Sequence, residues 1–253
     1  MAEYNVFDSH FHIIDHTFPV VENNGFLPDH FDVAAYQVHA DRLKVVGGAV
    51  VSGSFQEFDQ TYLRDALTRL GPGFVGVTQL PASVTDAEIT DLDRAGVRAV
   101  RFNVRRGGSE SIGNLETFAR RVHEVAGWHT ELYVDAADLA ELVDVISGLP
   151  AVSVDHLGLT DAGLPVLLEL VERGVRVKAT GFGRVELDVR EAVRRIMDID
   201  PTALMFGSDL PSTRARRPFE DADIDLLIEE VGDDADAVLR TNAERFYRIS
   251  EPR

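Results

Sequence analysis

Thr85-Asp86-Ala87-Glu88-Ile89-Thr90-Asp91-Leu92-Asp93-Arg94-Ala95-Gly96-Val97-Arg98-Ala99-Val100-Arg101-Phe102 holds one complete structural repeat. Thr85 with Glu88 three residues on is a capping-box pattern, which starts a helix by satisfying two orphan N–H groups. The spacing predicts a helix over Asp86–Ala95, and Gly96 ends it. Val97–Phe102 is a short, Val-rich run, apolar on both faces, as a buried parallel strand requires. The unit recurs in both directions. Strands are predicted at Tyr4–Asp8, Val45–Val51, Phe74–Thr78, Val97–Phe102, Glu131–Val134, Val152–Asp155, Val175–Ala179 and Leu204–Gly207. Helices are predicted at Val33–Leu43, Gln60–Leu70, Asp86–Ala95, Leu115–Val125, Asp138–Ser147, Leu164–Glu172, Val189–Met197 and Asp223–Val231. About eight such repeats in a row predict an α/β protein, a single-domain TIM (β/α)8 barrel over residues 1–253. A doubly wound open sheet is the rival. Against it, no Gly-x-Gly-x-x-Gly turn follows the first strand and no P-loop occurs.

Composition narrows the function classes. The chain has 253 residues, 45% hydrophobic, enough for one large core. No apolar run is long enough to span a bilayer, and Met1-Ala2-Glu3-Tyr4-Asn5 does not read as a secretory leader. With no cysteine, thiolate nucleophiles, disulfides and cysteine metal sites are excluded, and the expected location is cytoplasmic. A net charge of −18 repels phosphate backbones and anionic lipid, so neither nucleic acid nor membrane is an expected partner. Lys44 and Lys178 are the only lysines. A GC-rich genome favouring arginine codons and a salt-adapted acidic surface both remain open as reasons. The well-charged helix faces suggest a monomer or homodimer.

In a barrel of this kind the active site lies at the C-terminal strand ends. The polar residues there form a coherent set. The first strand offers Asp8, His10 and His12. Two histidines at i and i+2 on extended chain share a face. The fourth offers Arg101 and Asn103, with Arg105 and Arg106 beyond; the fifth, Tyr133 and Asp135; the sixth, Asp155 and His156. The seventh offers Lys178 and Thr180, with Arg184 beyond. The eighth offers Ser208 and Asp209, followed by Arg214, Arg216 and Arg217. Cations are scarce in so acidic a protein, and their concentration at one rim predicts a small anionic substrate, for which arginine's planar fork suits carboxylate. The plain alternatives are a helix-capping role for Asp209 and a solvated face for Arg216 and Arg217. His16, His30, His39, His123 and His129 read as structural or surface residues. The long first loop, roughly 9–32, belongs on the catalytic face.

These motifs, in order, resemble the amidohydrolase-related branch of the amidohydrolase superfamily, and within it lactonases of the 2-pyrone-4,6-dicarboxylate lactonase kind. The resemblance runs from Asp8-Ser9-His10-Phe11-His12 and Asn23-Asn24-Gly25-Phe26-Leu27-Pro28 through Gly96–Asn103, Val154–Gly158, Lys178–Gly181 and Phe206–Pro211 to Thr241–Tyr247. It implies a hydrolytic site at His10, His12, His156 and Asp209. Two departures matter. Superfamily members with two metals use a carboxylated lysine on the fourth strand, where this chain has Arg101. Many also use a histidine after the fifth, where it has Tyr133 and Asp135. Both argue against a two-metal centre. A single divalent ion such as zinc on His10, His12 and Asp209 remains chemically open, while the similar lactonases imply that none is required.

The expected reaction is opening of a small carboxylated lactone. Asp209 is the general base, and His10, His12 and His156 donate to the oxyanion. Arg101 binds the substrate's acid group, assisted by Arg105 or Arg106, Lys178 and Arg214, with Tyr133 adding a hydrogen bond. The rival readings are a mononuclear zinc-dependent amidohydrolase or decarboxylase of the same superfamily, and a barrel that binds an anionic metabolite without converting it.

Overall fold

The computed structural model describes residues 4–249. The reading of the first residues as no leader falls partly on residues 1–3, outside that range. Eight parallel strands follow one another in chain order: β1 (Val6–Phe11), β2 (Val45–Val51), β3 (Phe74–Thr78), β4 (Val97–Asn103), β5 (His129–Tyr133), β6 (Val152–Val154), β7 (Arg176–Ala179) and β8 (Leu204–Phe206). Just beyond β8 the chain returns to β1. The Asp209 N–H donates to His10 O at 2.7 Å, and the His12 N–H donates to Leu210 O at 2.8 Å. These two bonds close the sheet into a barrel at its catalytic end.

The outer layer is α1 (Val33–Leu43), α2 (Thr61–Leu70), α3 (Asp86–Arg94), α4 (Leu115–Ala126), α5 (Val143–Ser147), α6 (Leu164–Glu172), α7 (Val189–Ile199) and α8 (Asp221–Val231). A last short helix, α9 (Asn242–Phe246), follows a π-turn at Ala237–Thr241. The predicted capping box forms: Thr85 Oγ1 accepts from the Glu88 N–H, and Glu88 accepts from the Thr85 N–H. None of these helices is long and apolar enough to cross a membrane among the described residues.

Apolar burial is split between two compartments. The larger lies between strands and helices and includes Val50, Val100, Leu132, Val154 and Val177. The smaller fills the barrel floor with Phe7, Ala49, Val51, Val75, Val77, Ala99 and Met205, closed from below by Ala243 and Tyr247. Residues alternate between the compartments with the period of two that a pleated strand imposes. The consequence for function is that polar side chains next above the floor must face one another inside the barrel.

Most elements differ from their predicted bounds by a residue or two, and three of the differences have a visible cause. β1 runs to Phe11 instead of ending at Asp8, because the polar run is buried and bonded where it stands. Asp8 accepts from the Ser208 N–H at 2.8 Å, from Ser208 Oγ at 2.6 Å and from Tyr36 Oη at 3.2 Å. The helix predicted at Asp138–Ser147 is a 3-10 segment over Ala136–Leu142 followed by α5; the Asp135 carboxylate accepts from the Ala137 N–H and starts it early. α8 begins at Asp221, because Glu220 and Asp223 cap each other's backbone there.

Candidate active site

The β1–β8 junction brings the two distant motifs together. Gly207 permits it, since a Cβ there would lie 2.7 Å from the His10 Cβ. Asp209 follows with φ at 60°, and His156, at the end of β6, takes φ at 53°. Left-handed backbone at non-glycine residues is uncommon and tends to cluster at active sites. Asp209 Oδ1 then faces His12 Nε2 at 3.7 Å and His10 Nε2 at 3.9 Å. The His156 ring packs edge-on against His10, with centroids 4.8 Å apart. All four residues are buried, and neither Asp209 Oδ1 nor His10 Nε2 has a hydrogen-bond partner among the described residues. A buried carboxylate oxygen and a buried ring nitrogen without partners are what a site for water, substrate or a cation presents.

The backbone sets two of the ring tautomers. His12 Nδ1 donates to Val51 O at 2.7 Å, and His156 Nδ1 donates to Thr180 O at 3.3 Å. A carbonyl can only accept, so each Nδ1 carries a proton. In the neutral rings both Nε2 atoms therefore present lone pairs. Burial and the nearby Arg184 hold His156 well below the usual histidine range, which keeps that ring neutral. This corrects the expectation that His12 and His156 donate to an oxyanion. As neutral rings they accept.

The cations are also distributed differently from expectation. Arg184, on the loop after β7, grips Asp209 Oδ2 through Nε at 2.8 Å and through Nη2; its Nη1 donates to Tyr133 Oη at 3.3 Å. Burial alone would raise the Asp209 carboxyl, but the Arg184 guanidinium outweighs it and holds it well below the usual carboxylate range. Arg101 is spent on Asp155, at 2.8 and 3.1 Å, and on Ser52 O at 2.9 Å. Lys178 is wholly buried beneath the histidines and donates to Glu131 Oε2 at 2.5 Å. It does not line the cavity, so its assignment to substrate is corrected. Of the two alternatives Arg105 and Arg106, Arg105 is exposed and outside the lining, and Arg106 faces the cavity.

The rim includes Arg106, Arg214, Tyr133 and Phe55, and the Arg101 and Asn103 side chains also line the cavity. Arg214 lies over the Phe26 ring at 4.5 Å and donates to Asn23 Oδ1 at 2.9 Å. Burial and the neighbouring charge of Arg106 press its guanidinium below its ordinary value. Among the described residues neither arginine has a carboxylate partner. The first loop is clasped to this rim: Asn23 Nδ2 donates to Arg106 O at 3.2 Å and the Val21 N–H donates to Phe55 O at 2.9 Å.

Sequence reading missed Glu131 and gave Arg184 no role. Glu131 lies between His129 and Tyr133 at strand spacing, and a carboxylate in mid-strand is itself a signal of a buried partner. His129, read as structural or surface, is buried and bonded to Glu131 Oε1 at 3.1 Å. Burial lowers its pKa against the pull of Glu131. The unfolded chain therefore binds this proton first as pH falls, and stability is lost below about pH 6.5. His129→Gln is expected to flatten the fall in urea midpoint between pH 7.5 and 5.5, by at most about 1.4 kcal/mol per pH unit. An unchanged slope would assign the acid sensitivity elsewhere.

As a donor set, His12 Nε2, His10 Nε2 and Asp209 Oδ1 fit one divalent cation: the three lie within 4.8 Å of one another. The bond from His12 Nδ1 to a carbonyl is the outer-shell contact that metal-ligating histidines use.

A buried histidine–carboxylate cluster at the C-terminal mouth of a (β/α)8 barrel defines the class. The amidohydrolase family matches residues 7–249, and the chain belongs to it. Among curated relatives, a 2-pyrone-4,6-dicarboxylate hydrolase of Comamonas testosteroni is 34% identical over 161 residues, covering 61% of this chain and 52% of that protein. The match thus spans about half of that relative's length. A 4-sulfomuconolactone hydrolase of Rhizobium radiobacter is 27% identical over 271 residues, covering 96% and 89%. Among solved structures, a probable 2-pyrone-4,6-dicarboxylic acid hydrolase of Acinetobacter baumannii, with citric acid bound, superposes with a TM-score of 0.85 at 21% identity, covering 96% of this chain and 99% of that one. A β-aspartyl dipeptidase of Fervidobacterium islandicum gives a TM-score of 0.70 at 14% identity over 97% and 74%. These two likenesses concern the fold.

Proposed function

We propose that this protein is a hydrolase that opens a small carboxylated lactone at the Asp209 site. The observation that carries the reading is the unpartnered Asp209 Oδ1, buried opposite His12 Nε2 at 3.7 Å. A water between them can donate one hydrogen to each, which aims its lone pair into the cavity. Asp209 takes the proton as the water attacks the lactone carbonyl, and the tetrahedral adduct then breaks its ring C–O bond as that proton passes to the leaving oxygen. The donors available to the developing oxyanion are Tyr133 Oη, Arg184 and His10. A carboxyl held as low as that of Asp209 is a weak base. It is always ionised at neutral pH, and an activated ester asks less of a base than an amide does. Relatives acting on 2-pyrone-4,6-dicarboxylate and 4-sulfomuconolactone support an acidic lactone as substrate.

Arg106 and Arg214, cations without acidic partners among the described residues, are the groups proposed to hold the acid. Arg214→Gln is expected to raise KM for a carboxylated lactone about tenfold with kcat within twofold, consistent with one charge-assisted contact of roughly 1.5 kcal/mol. Equal KM in steady-state assays of the two proteins would remove Arg214 from the acid site. We place the enzyme in the cytosol as a monomer or modest homodimer, in keeping with its cysteine-free, strongly acidic composition.

The tautomers of His12 and His156 favour a second reading, a mononuclear zinc hydrolase. His10, His12 and Asp209 would hold the ion, which when bound supplies Lewis-acid polarisation and a more acidic water. Assaying a panel of lactones by proton release before and after chelator treatment separates the two. A retained rate supports the metal-free route, and loss restored by zinc supports the second.

A further inference from the structure

Beneath the site lies a buried polar column that the proposed reaction does not use directly. Tyr247, from the segment after α9, donates to Glu131 Oε1 at 2.5 Å. Glu131 Oε2 accepts from Lys178 at 2.5 Å. The Lys178 ammonium then reaches upward to His10 Nδ1 at 3.5 Å and to Asp155 Oδ1 at 3.7 Å. No atom of Lys178, Glu131, His10 or Asp155 side chains reaches solvent to any useful extent. So much buried charge needs a function or a full set of partners.

Unlike His12 and His156, His10 has no carbonyl at Nδ1. That nitrogen lies 3.5 Å from both Lys178 Nζ and Asp155 Oδ1. Its proton can therefore point down to Asp155 or stay on Nε2 and point into the site. The Lys178 ammonium decides between these. An ammonium can only donate, so a ring N–H aimed toward it is disfavoured and a lone pair is favoured. Asp155 Oδ1 also lacks a hydrogen-bond partner among the described residues, and Arg101 holds Asp155 through its other oxygen as Arg184 holds Asp209, so the two carboxylates draw the proton from opposite sides and the ammonium tips the balance. On the other side of the ring, Nε2 faces the unpartnered acceptor Asp209 Oδ1 at 3.9 Å, where a proton is attracted and a lone pair is not.

We propose that Lys178 is a positioning residue that holds His10 in the Nε2–H tautomer, which makes it the one histidine of the three able, as a neutral ring, to donate into the cavity. It follows that a cation on His10, His12 and Asp209 would first require the His10 proton to leave Nε2. Glu131 and Tyr247 keep the ammonium in place, so the C-terminal segment is coupled to the chemistry through one column of side chains.

The role of His10 in turnover rests on the lactonase reading, whereas its tautomer does not, and the test separates them. Long-range ¹H–¹⁵N spectra of the whole protein, with the His10 ring assigned through a His10→Gln variant, report which nitrogen is protonated. The expected wild-type signature is a protonated Nε2 and an unprotonated Nδ1. Lys178→Met leaves Glu131 without its cation and can fail to fold. The charge-balanced pair Glu131→Gln with Lys178→Met avoids this and is expected to move the proton to Nδ1, toward Asp155. In the same pair kcat on a lactone substrate should fall about 100-fold, the cost of one oxyanion donor, with KM changed less than threefold. A wild-type ring protonated on Nδ1, or a proton that stays on Nε2 in the double variant, would overturn the proposal. Absence of lactone turnover in the wild type would overturn the lactonase reading and leave the tautomer result standing.

Discussion

Asp209→Asn is expected to lower kcat/KM on a lactone by about 10²–10⁴, the range a positioned general base contributes. The amide is the same shape and can still accept from Arg184, but it cannot take a proton from water. The substitution has a second effect that must be measured beside the first. Asp209 is the only carboxylate partner of Arg184 among the described residues, and Arg184 is only 8% exposed. Removing one charge of a buried pair typically costs about 3–5 kcal/mol, which sets an upper bound because Tyr133 Oη and Thr213 O still accept from the guanidinium. The assay therefore belongs at a temperature where denaturant melts show the variant folded. Loss of turnover with retained affinity for the substrate is the expected pattern. Wild-type turnover in a folded Asp209→Asn protein would place the base elsewhere, His12 Nε2 being the nearest acceptor.

Arg101→Met is expected to act mainly on stability. From the sequence alone Arg101 reads as a substrate arginine, and its loss should raise KM. In the barrel its Nε and Nη2 hold Asp155, its Nη1 holds Ser52 O, and it is 2% exposed. Burial alone would raise the Asp155 carboxyl; Arg101 is the largest influence that outweighs it and keeps it well below the usual carboxylate range. Methionine there leaves Asp155 with only the longer contacts to His10 Nδ1 and Lys178 among the described residues. A loss of about 3–5 kcal/mol in chemical denaturation follows, the usual penalty for stranding one member of a buried ion pair. A variant of wild-type stability with a tenfold higher KM would restore Arg101 to the substrate.

Both predictions turn on the same division of labour among cations. Among the described residues, Arg101, Lys178 and Arg184 face carboxylates of the protein, while Arg106 and Arg214 do not. The sequence places all five at one rim but says nothing about which are already paired. Pairing depends on which way each side chain points and on what lies opposite. Glu131, Asp155 and Asp209 come from different strands, so local pattern does not reveal their partners.

What the sequence by itself determined is the repeating unit and therefore the barrel. Val-rich runs alternate with capped amphipathic helices, and these signals are local, written within about twenty residues of one another. It also placed His10, His12, His156 and Asp209 at strand ends, because a barrel leaves its strand ends at one mouth. Three things were decided only by tertiary structure. The junction of Asp209 with β1 sets the facing of its free oxygen toward two ring nitrogens. The carbonyls of Val51 and Thr180 set the tautomers of His12 and His156. The column Tyr247–Glu131–Lys178 reaches the His10 ring from below. Each depends on hydrogen-bond partners far apart in the chain, and a proton's position on an imidazole is fixed by whichever donor or acceptor the fold brings to it.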